Sequence, residues 1–381
     1  MNEFDTPERK LLRDTVHRFV DKEVYPHLQD WESAGALPRE LHRTAADAGL
    51  LGIGIPEEMG GQGGDILDVV VATEAWFEAG GSSGAQSALF TLGIATPHMV
   101  ASGDEYLIDR YVRPTAAGEK IGSLGVTEPE AGSDVAALRT TAVRDGDHYV
   151  VNGAKTFITS GTRADFVTTA VRTGDAGYAG ISLLVIDTDT TGFAVSRTLD
   201  KMGWRCSDTA ELTFTDCRVP ARNLIGPENG GFAQLMRQFA AERLGVAVHA
   251  YGIAARALDL TVDYTRARAT FGKPLIKRQV VQHKLVEMRQ RVELARTYTR
   301  HVAARYAAGE QVIGEVCLAK NAAVDACKYV VDEAVQLHGG MGYMRESEVE
   351  RHYRDARITG IGGGASEVLS DLAAKIFGYT A

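Results

Sequence analysis

Apolar and polar positions divide the chain into three regimes. Up to about residue 118 apolar residues recur at helical spacing, from about Ile121 to 225 they alternate, and from 231 the helical period returns. Thr6-Pro7-Glu8 reads as an N-cap with proline at the first helical position, opening a helix that runs to about Val24, before Pro26. A second helix spans Pro38 to Ala48 and ends at Gly49, followed by the irregular loop GLLGIGIPEEMGGQGGD. Further helices cover about 66–79 and 82–102, the latter interrupted by Gly93 and Pro97, and Asp104 to Arg113 begins a last one that Pro114 stops. In the alternating regime HYVVNGAKTFIT reads as a strand pair around an Asn152-Gly153 turn, with FVTTAVRT, GISLLVID and AELTFTDCRV as further strands. No helices alternate with these strands, which excludes a dinucleotide-binding βαβ unit. Helices are then expected at 231–268, about 278–307, about 312–338 and about 366–377. The expectation is an α+β protein with an N-terminal helical domain (1–118), a central β domain (119–225) and a C-terminal four-helix domain (226–381).

The stretch from Gly231 to Gly272 carries an apolar stripe of Leu235, Phe239, Val246, Ile253, Ala257 and Leu260, and Glu242 falls on it. A carboxylate on an apolar face loses hydration and acquires a raised pKa unless something pairs with it. Arg243 follows directly, so periodicity alone leaves two readings open: an ion pair at the rim of a bundle, or a functional acid or base.

Composition narrows the field. Of 381 residues, 45% are hydrophobic and 24% charged, and the net charge of −9 argues against a grip on nucleic acid or anionic lipid. The four cysteines show neither metal-ligand spacing nor a disulfide framework, which suits a reducing compartment. The N-terminus is too charged for a secretory signal, and no apolar run approaches the ~18–20 residues of a membrane span. A cytoplasmic protein without a metal site is expected.

Three stretches are unusual for scaffold alone. GVTEPEAGSD (125–134) is a turn whose backbone N–H groups, with Thr127 and Ser133, suit polar ligand edges or phosphate. QLHGGMGYMRESEVERHYRDARI (336–358) combines a Gly339-Gly340 pair with a dense run of charge. GIGGGASE (360–367) opens the last helix. Zinc signatures, a G-x-S-x-G elbow and a Walker loop are all missing, which removes the usual support for hydrolases and kinases.

Taken together, GVTEPEAGSDVAA (125–137), FIT (157–159), Glu242-Arg243, RATFGK (268–273) and QLHGGMGYMRESEVERHYRD (336–355) resemble the acyl-CoA dehydrogenase family over essentially the whole chain. The resemblance implies the three-domain fold above, a homotetramer, and FAD held between the β domain and the C-terminal helices. By position, Leu124, Val126, Thr127, Gly132 and Ser133, with Phe157, Ile158 and Thr159, would flank the flavin. Arg268, Thr270, Phe271 and Gln279 belong to the segment that reaches FAD across a subunit interface. Gln336, Leu337, Gly339, Gly340, Ala365, Ser366 and Glu367 would complete the cofactor site, while Ser133, Arg243 and Gly363 would meet substrate.

Two departures matter. Many members carry the catalytic glutamate in the final glycine-rich turn, where this chain has Gly363. A subset similar to the isovaleryl-CoA and long-chain enzymes instead places it on the long helix, directly before the arginine, which is Glu242 here; DTAEL (208–212), QHKL (282–285) and QLHGG (336–340) also resemble the long-chain enzymes. Ala365 replaces a threonine whose hydroxyl would contact FAD. The implied reaction is α,β-dehydrogenation of an acyl-CoA to the trans-2-enoyl-CoA, with Glu242 taking the α-proton, the β-hydrogen leaving as hydride to flavin N5, and the Gly363 N–H kept for the thioester oxygen. The implied acceptor is electron-transferring flavoprotein. A carrier-protein-bound acyl or aminoacyl thioester as substrate, and a non-catalytic flavin- or thioester-binding protein, remain as alternatives. QSALFTLG (86–93), with the bulky Phe90, aligns with an acyl-pocket floor but leaves chain length and branching open.

Overall fold

The long helix Gly231–Ala267 forms because an almost unbroken apolar stripe must be buried on several sides at once, and its surroundings assemble around it. The structure, a computed structural model, describes residues 3–380. At the N-terminus Thr6 accepts a hydrogen bond from the Arg9 N–H at 3.3 Å, with Pro7 first in helix α1 (Pro7–Phe19). A wide π-type turn, Val20–Val24, carries it to the expected end. An unexpected helix, Leu28–Ala34, follows and is closed by Gly35 in the left-handed conformation. The second expected helix is Glu40–Asp47. Helix α2 (Ile66–Glu78) starts at an Asp65 capping box, and α3 (Ser83–Leu89) starts at a Ser82 cap. The remainder of 82–102 breaks into Leu92–Ala95 and Pro97–Ser102, close to Gly93 and Pro97 as expected.

Pro114 does not stop its helix. A wide turn, Ile108–Val112, resets the ladder and Arg113–Ala116 begins anew, so Pro114 lies in a first turn, where its missing N–H breaks nothing.

The central sheet has eight strands: β1 (Gly122–Gly125), β2 (Thr141–Asp145), β3 (His148–Thr159), β4 (Phe166–Arg172), β5 (Ile181–Asp187), β6 (Phe193–Thr198), β7 (Thr209–Pro220) and β8 (Leu224–Ile225). Their order is β6-β7-β3-β2-β4-β5-β8, with β1 parallel to β4. The expected hairpin at Asn152-Gly153 is corrected here: 148–159 is one strand, and the turn sits upstream at Gly146, φ 63°. Gly153 instead marks a bulge against β7, where a Cβ would lie 2.5 Å from Thr140 Oγ1. The Asn152 side chain serves that bulge: its Nδ2 donates to Asp216 Oδ1 at 3.0 Å, and its Oδ1 accepts from the Asp216 N–H at 2.9 Å.

The C-terminal part comprises α4 (Gly231–Ala267), a short β9–β10 pair (Ala269–Thr270 and Lys273–Pro274), α5 (Gln279–Ala307), α6 (Ile313–His338), α7 (Glu348–Ala356) and α8 (Ser366–Ile376). Helix α7 falls in what reads as a solvated charge run. It forms because its charges face protein: Glu348 accepts from Arg256 Nε of α4 at 2.8 Å, and the fully buried Asp355 accepts from the Trp204 N–H at 2.7 Å. Helix α4 also abuts the N-terminal helices, since a Cβ on Gly252 would lie 2.4 Å from Phe77 of α2. The four cysteines are buried and free, and no helix among the described residues is long and apolar enough to cross a membrane.

Candidate active site

The middle of α4 is buried except for one stripe. Ala241, Glu242, Gly245, Val246 and His249 retain partial solvent access, while 250–255 are all buried. A Cβ on Gly245 would meet no atom within 4 Å, so this stripe faces open space. Glu242 makes no hydrogen bond or ion pair among the described residues. Burial raises its pKa above the ordinary 4.5, and the charges of Arg243 and Lys320 oppose the rise. Arg243 is buried, its Nε unpartnered, its guanidinium 5.5 Å from the centre of the Phe239 ring. Adjacent helix residues diverge by about 100°, and the rim ion pair between Glu242 and Arg243, one of the two readings that periodicity left open, is not formed.

The glycine-rich turn comes to this stripe from the other end of the domain. Gly363 and Gly364 hold φ values of 65° and 95°, which favour glycine. A Cβ on Gly363 would lie 3.6 Å from Glu242 Oε1 and 3.2 Å from Val246 Cγ2. Any side chain at 363 would therefore enter the space beside the Glu242 carboxylate. The Gly363 N–H donates to no group among the described residues. Arg243 Nε lies 3.9 Å from a Cβ position on Gly364.

Lys320 carries the turn. Fully buried on α6, it donates from Nζ to the carbonyls of Gly362 at 2.8 Å and Gly364 at 2.5 Å. Burial, helped by Arg243, lowers its pKa to about 8 against the pull of Glu242. Sequence reasoning missed Lys320, although the signal was present. It sits among Val316, Ala319, Ala323 and Val324 on one helix face, the same oddity that drew attention to Glu242.

The first signature and FIT lie side by side on the sheet. Lys155 of β3 is fully buried and donates to Glu128 Oε1 at 2.7 Å and to the Val126 carbonyl at 3.1 Å. Glu128 also accepts from the Arg139 and Thr140 N–H groups at 2.6 and 3.0 Å. The Thr156 N–H donates to the Thr127 carbonyl at 2.9 Å, and Ser123 Oγ to the Thr159 carbonyl at 2.8 Å. This brings Leu124, Val126 and Thr127 against the segment Phe157, Ile158 and Thr159. Gly132 and Ser133 lie exposed further along the loop. Phe157 holds φ 61° and is 68% exposed, whereas Ile158 is buried. The Glu128–Lys155 pair was not singled out from sequence.

A second group surrounds a cleft of ≈ 410 Å³ lined by Arg268, Thr270, Leu337, Gly339 and Gly340, with Tyr264 and His338. Tyr264 stacks on His338 at 4.2 Å and donates to its carbonyl at 3.1 Å. Neither Gly339 nor Gly340 would place a Cβ within 4 Å of another atom, so their backbone is open. Phe271 is 97% exposed, and Gln279, Gln336 and Glu367 are exposed. Ala365 caps α8, where the buried Ser366 Oγ has no partner. Among the described residues no hydrogen bond or ion pair joins the cleft to the sheet-edge group within the chain.

Three family models match: Acyl-CoA dehydrogenase, N-terminal domain over residues 6–119, middle domain over 123–217 and C-terminal domain over 229–377. The probable acyl-CoA dehydrogenase YngJ of Bacillus subtilis is 38% identical over 366 residues, covering 95% of this chain and 96% of that protein. The long-chain specific acyl-CoA dehydrogenase of Mus musculus is 37% identical over 373 residues, covering 97% and 86%. Among solved structures, a probable acyl-CoA dehydrogenase from Mycobacterium abscessus superimposes with a TM-score of 0.97 at 64% identity, covering 98% of this chain and 100% of that one.

Proposed function

The chain belongs to the acyl-CoA dehydrogenase family, and from that premise we propose that Glu242 is the base that removes the α-proton of its thioester substrate. The reaction class is flavin-dependent dehydrogenation of an acyl-CoA, with FAD as cofactor. The product read here is the trans-2-enoyl-CoA. The observation that carries the assignment is the convergence at Gly363: the turn position that offers no side chain lies 3.6 Å, at its Cβ site, from the one carboxylate oxygen placed to replace it.

The residues present fit FAD. An exposed Phe157 on a strand edge, beside Leu124, suits a flat apolar ring system. Arg268, Thr270 and the open Gly339-Gly340 backbone suit a diphosphate, and the unpartnered Ser366 Oγ is a free donor at a helix N-terminus. FAD, when bound, supplies the acceptor for the hydride that leaves the β-carbon.

The chain's own groups do the remaining work. Glu242 is desolvated enough to be a stronger base than a solvated carboxylate, while Arg243 and Lys320 favour its ionised form. The free Gly363 N–H is the donor for the thioester oxygen as negative charge develops there. Arg243 and Ser133 take the CoA portion. Among the described residues no hydrogen bond or ion pair links the cleft around Arg268 to the sheet-edge group, which supports reading Arg268, Thr270, Phe271 and Gln279 as serving the FAD of a second subunit in a homotetramer. Electron-transferring flavoprotein is the acceptor that reoxidises the cofactor.

Glu242→Gln is expected to retain FAD but to slow anaerobic flavin bleaching by acyl-CoA by roughly 10²–10⁴-fold. Bleaching at the wild-type rate would remove Glu242 from the mechanism.

A further inference from the structure

The accessible stripe on α4 has two ends. Glu242 lies at one, beside the glycine-rich turn; the other is His249, after which 250–255 are all buried. The open space beside Gly245 connects them. Seven residues of α-helix separate the ends by about 10 Å at ~1.5 Å per residue, and the two side chains lie within about 20° of the same face. The stripe therefore marks a partly accessible path along α4 from the Glu242 carboxylate to an imidazole.

The imidazole is oriented by a chain of hydrogen bonds from two other parts of the molecule. Trp204 Nε1, which can only donate, donates to Ser83 Oγ at 2.8 Å. Ser83 Oγ lies 3.2 Å from His249 Nδ1 and, apart from Trp204 and His249, has no partner among the described residues. Ser83 is fully buried, so its hydroxyl proton is satisfied only if it donates to Nδ1. Nδ1 is then the acceptor, and the proton of the neutral ring sits on Nε2. Burial holds the His249 pKa down to about 4, so the ring is neutral near pH 7. Nε2 has no partner among the described residues. Phe77 packs edge-on against the ring at 5.4 Å, and α3 lies close enough to Trp204 that a Cβ on Gly84 would be 2.9 Å from its Cα. The donor is thus fixed from three sides.

We propose that His249 is a specificity-determining residue: its Nε2–H donates to an oxygen on the acyl chain about 10 Å from the reacting carbons, so the preferred substrate is an oxygenated rather than a plain acyl thioester. This rests on Glu242 marking the reacting carbons. At ~1.2 Å per bond of an extended chain, the distance corresponds to roughly eight bonds. A plain chain that reaches the end leaves the buried donor unpaired, and a chain with a hydroxyl or carbonyl there satisfies it.

The test compares octanoyl-CoA with ω-hydroxyoctanoyl-CoA, using butyryl-CoA as a substrate too short to reach His249. Wild-type holoenzyme is expected to favour the hydroxylated chain by roughly tenfold or more in kcat/KM, and the Glu242→Gln holoprotein to show the same preference in Kd. His249→Leu should abolish the preference while bleaching with butyryl-CoA persists. His249→Gln, which restores an N–H donor, should recover part of it. Ser83→Ala, which keeps the imidazole but frees its tautomer, should weaken it. Equal handling of both octanoyl chains by wild type, or a preference that survives His249→Leu, overturns the proposal while leaving Glu242 in place. Failure of all three thioesters to bleach wild-type flavin overturns the dehydrogenase reading and this one with it.

Discussion

Glu242 and Lys320 face one another across α4 and α6 with opposite charges and no ion pair between them. Each is desolvated and each moderates the other. Removing the cation in Lys320→Met leaves the burial of Glu242 opposed only by Arg243, so the carboxyl pKa rises further above 4.5. The acid limb of the bleaching rate should therefore move to higher pH, with a larger loss at pH ~6 than at pH ~8; an unmoved profile would detach Lys320 from the base. The same burial has a stability consequence. A carboxyl whose folded pKa is raised is ionised more readily in the unfolded chain, so stability falls as pH rises from 4.5 through the folded pKa. Glu242→Gln removes that loss and should raise Tm at neutral pH, measurable by calorimetry. Glu242 was legible in the sequence because a charge interrupts an apolar stripe. Lys320 shows the same signature, but its two carbonyl partners lie beyond α7, and nothing local points to them.

At the scale of elements, the sheet edge depends on Lys155 and Glu128, a buried pair that ties the first signature loop to β3. Burial alone would raise the Glu128 pKa, but Lys155 and the N–H groups of Arg139 and Thr140 outweigh it and hold it below 4.5. The stabilisation is present above that value and is lost as pH falls through the lower folded pKa. Glu128→Gln leaves Lys155 buried without its counter-charge and should cost about 3–5 kcal/mol, seen as a drop in Tm with release of FAD. A variant with unchanged Tm and flavin content would show that the loop is held by other contacts. Most helices were readable from period and caps, as at Thr6 and Asp65. The Asn152-Gly153 hairpin was misread because a bulge and a turn use the same residues, and only the partner strand, with Asp216 opposite, distinguishes them. Helix α7 was missed because its charges are paired inward, which the run of Glu and Arg does not disclose.

For the whole molecule, the decisive feature is that, among the described residues, no hydrogen bond or ion pair joins the cleft around Arg268 to the loop held by Lys155. Phe271 stands 97% exposed, and Val280, Val286 and Leu294 on α5 are each more than 60% exposed. Such apolar surface along α5 fits burial against another copy. The double variant Val286→Glu, Leu294→Glu should sediment nearer the 41.0 kDa protomer and lose FAD. An assembly that keeps both its mass and its flavin would place the interface elsewhere.

By itself the sequence determined the succession of helical, alternating and helical regimes, and the two signatures with the empty position at Gly363 and the carboxylate at Glu242. These are local or alignable properties: period, cap and motif are written in neighbouring residues. Tertiary structure alone decided that Gly363 and Glu242 share one space, that Lys320 holds the turn between them, and that Ser83 and Trp204 fix the proton of His249. Each of those facts joins residues far apart in the chain, and such contacts follow from how helices and sheet pack rather than from any stretch of sequence.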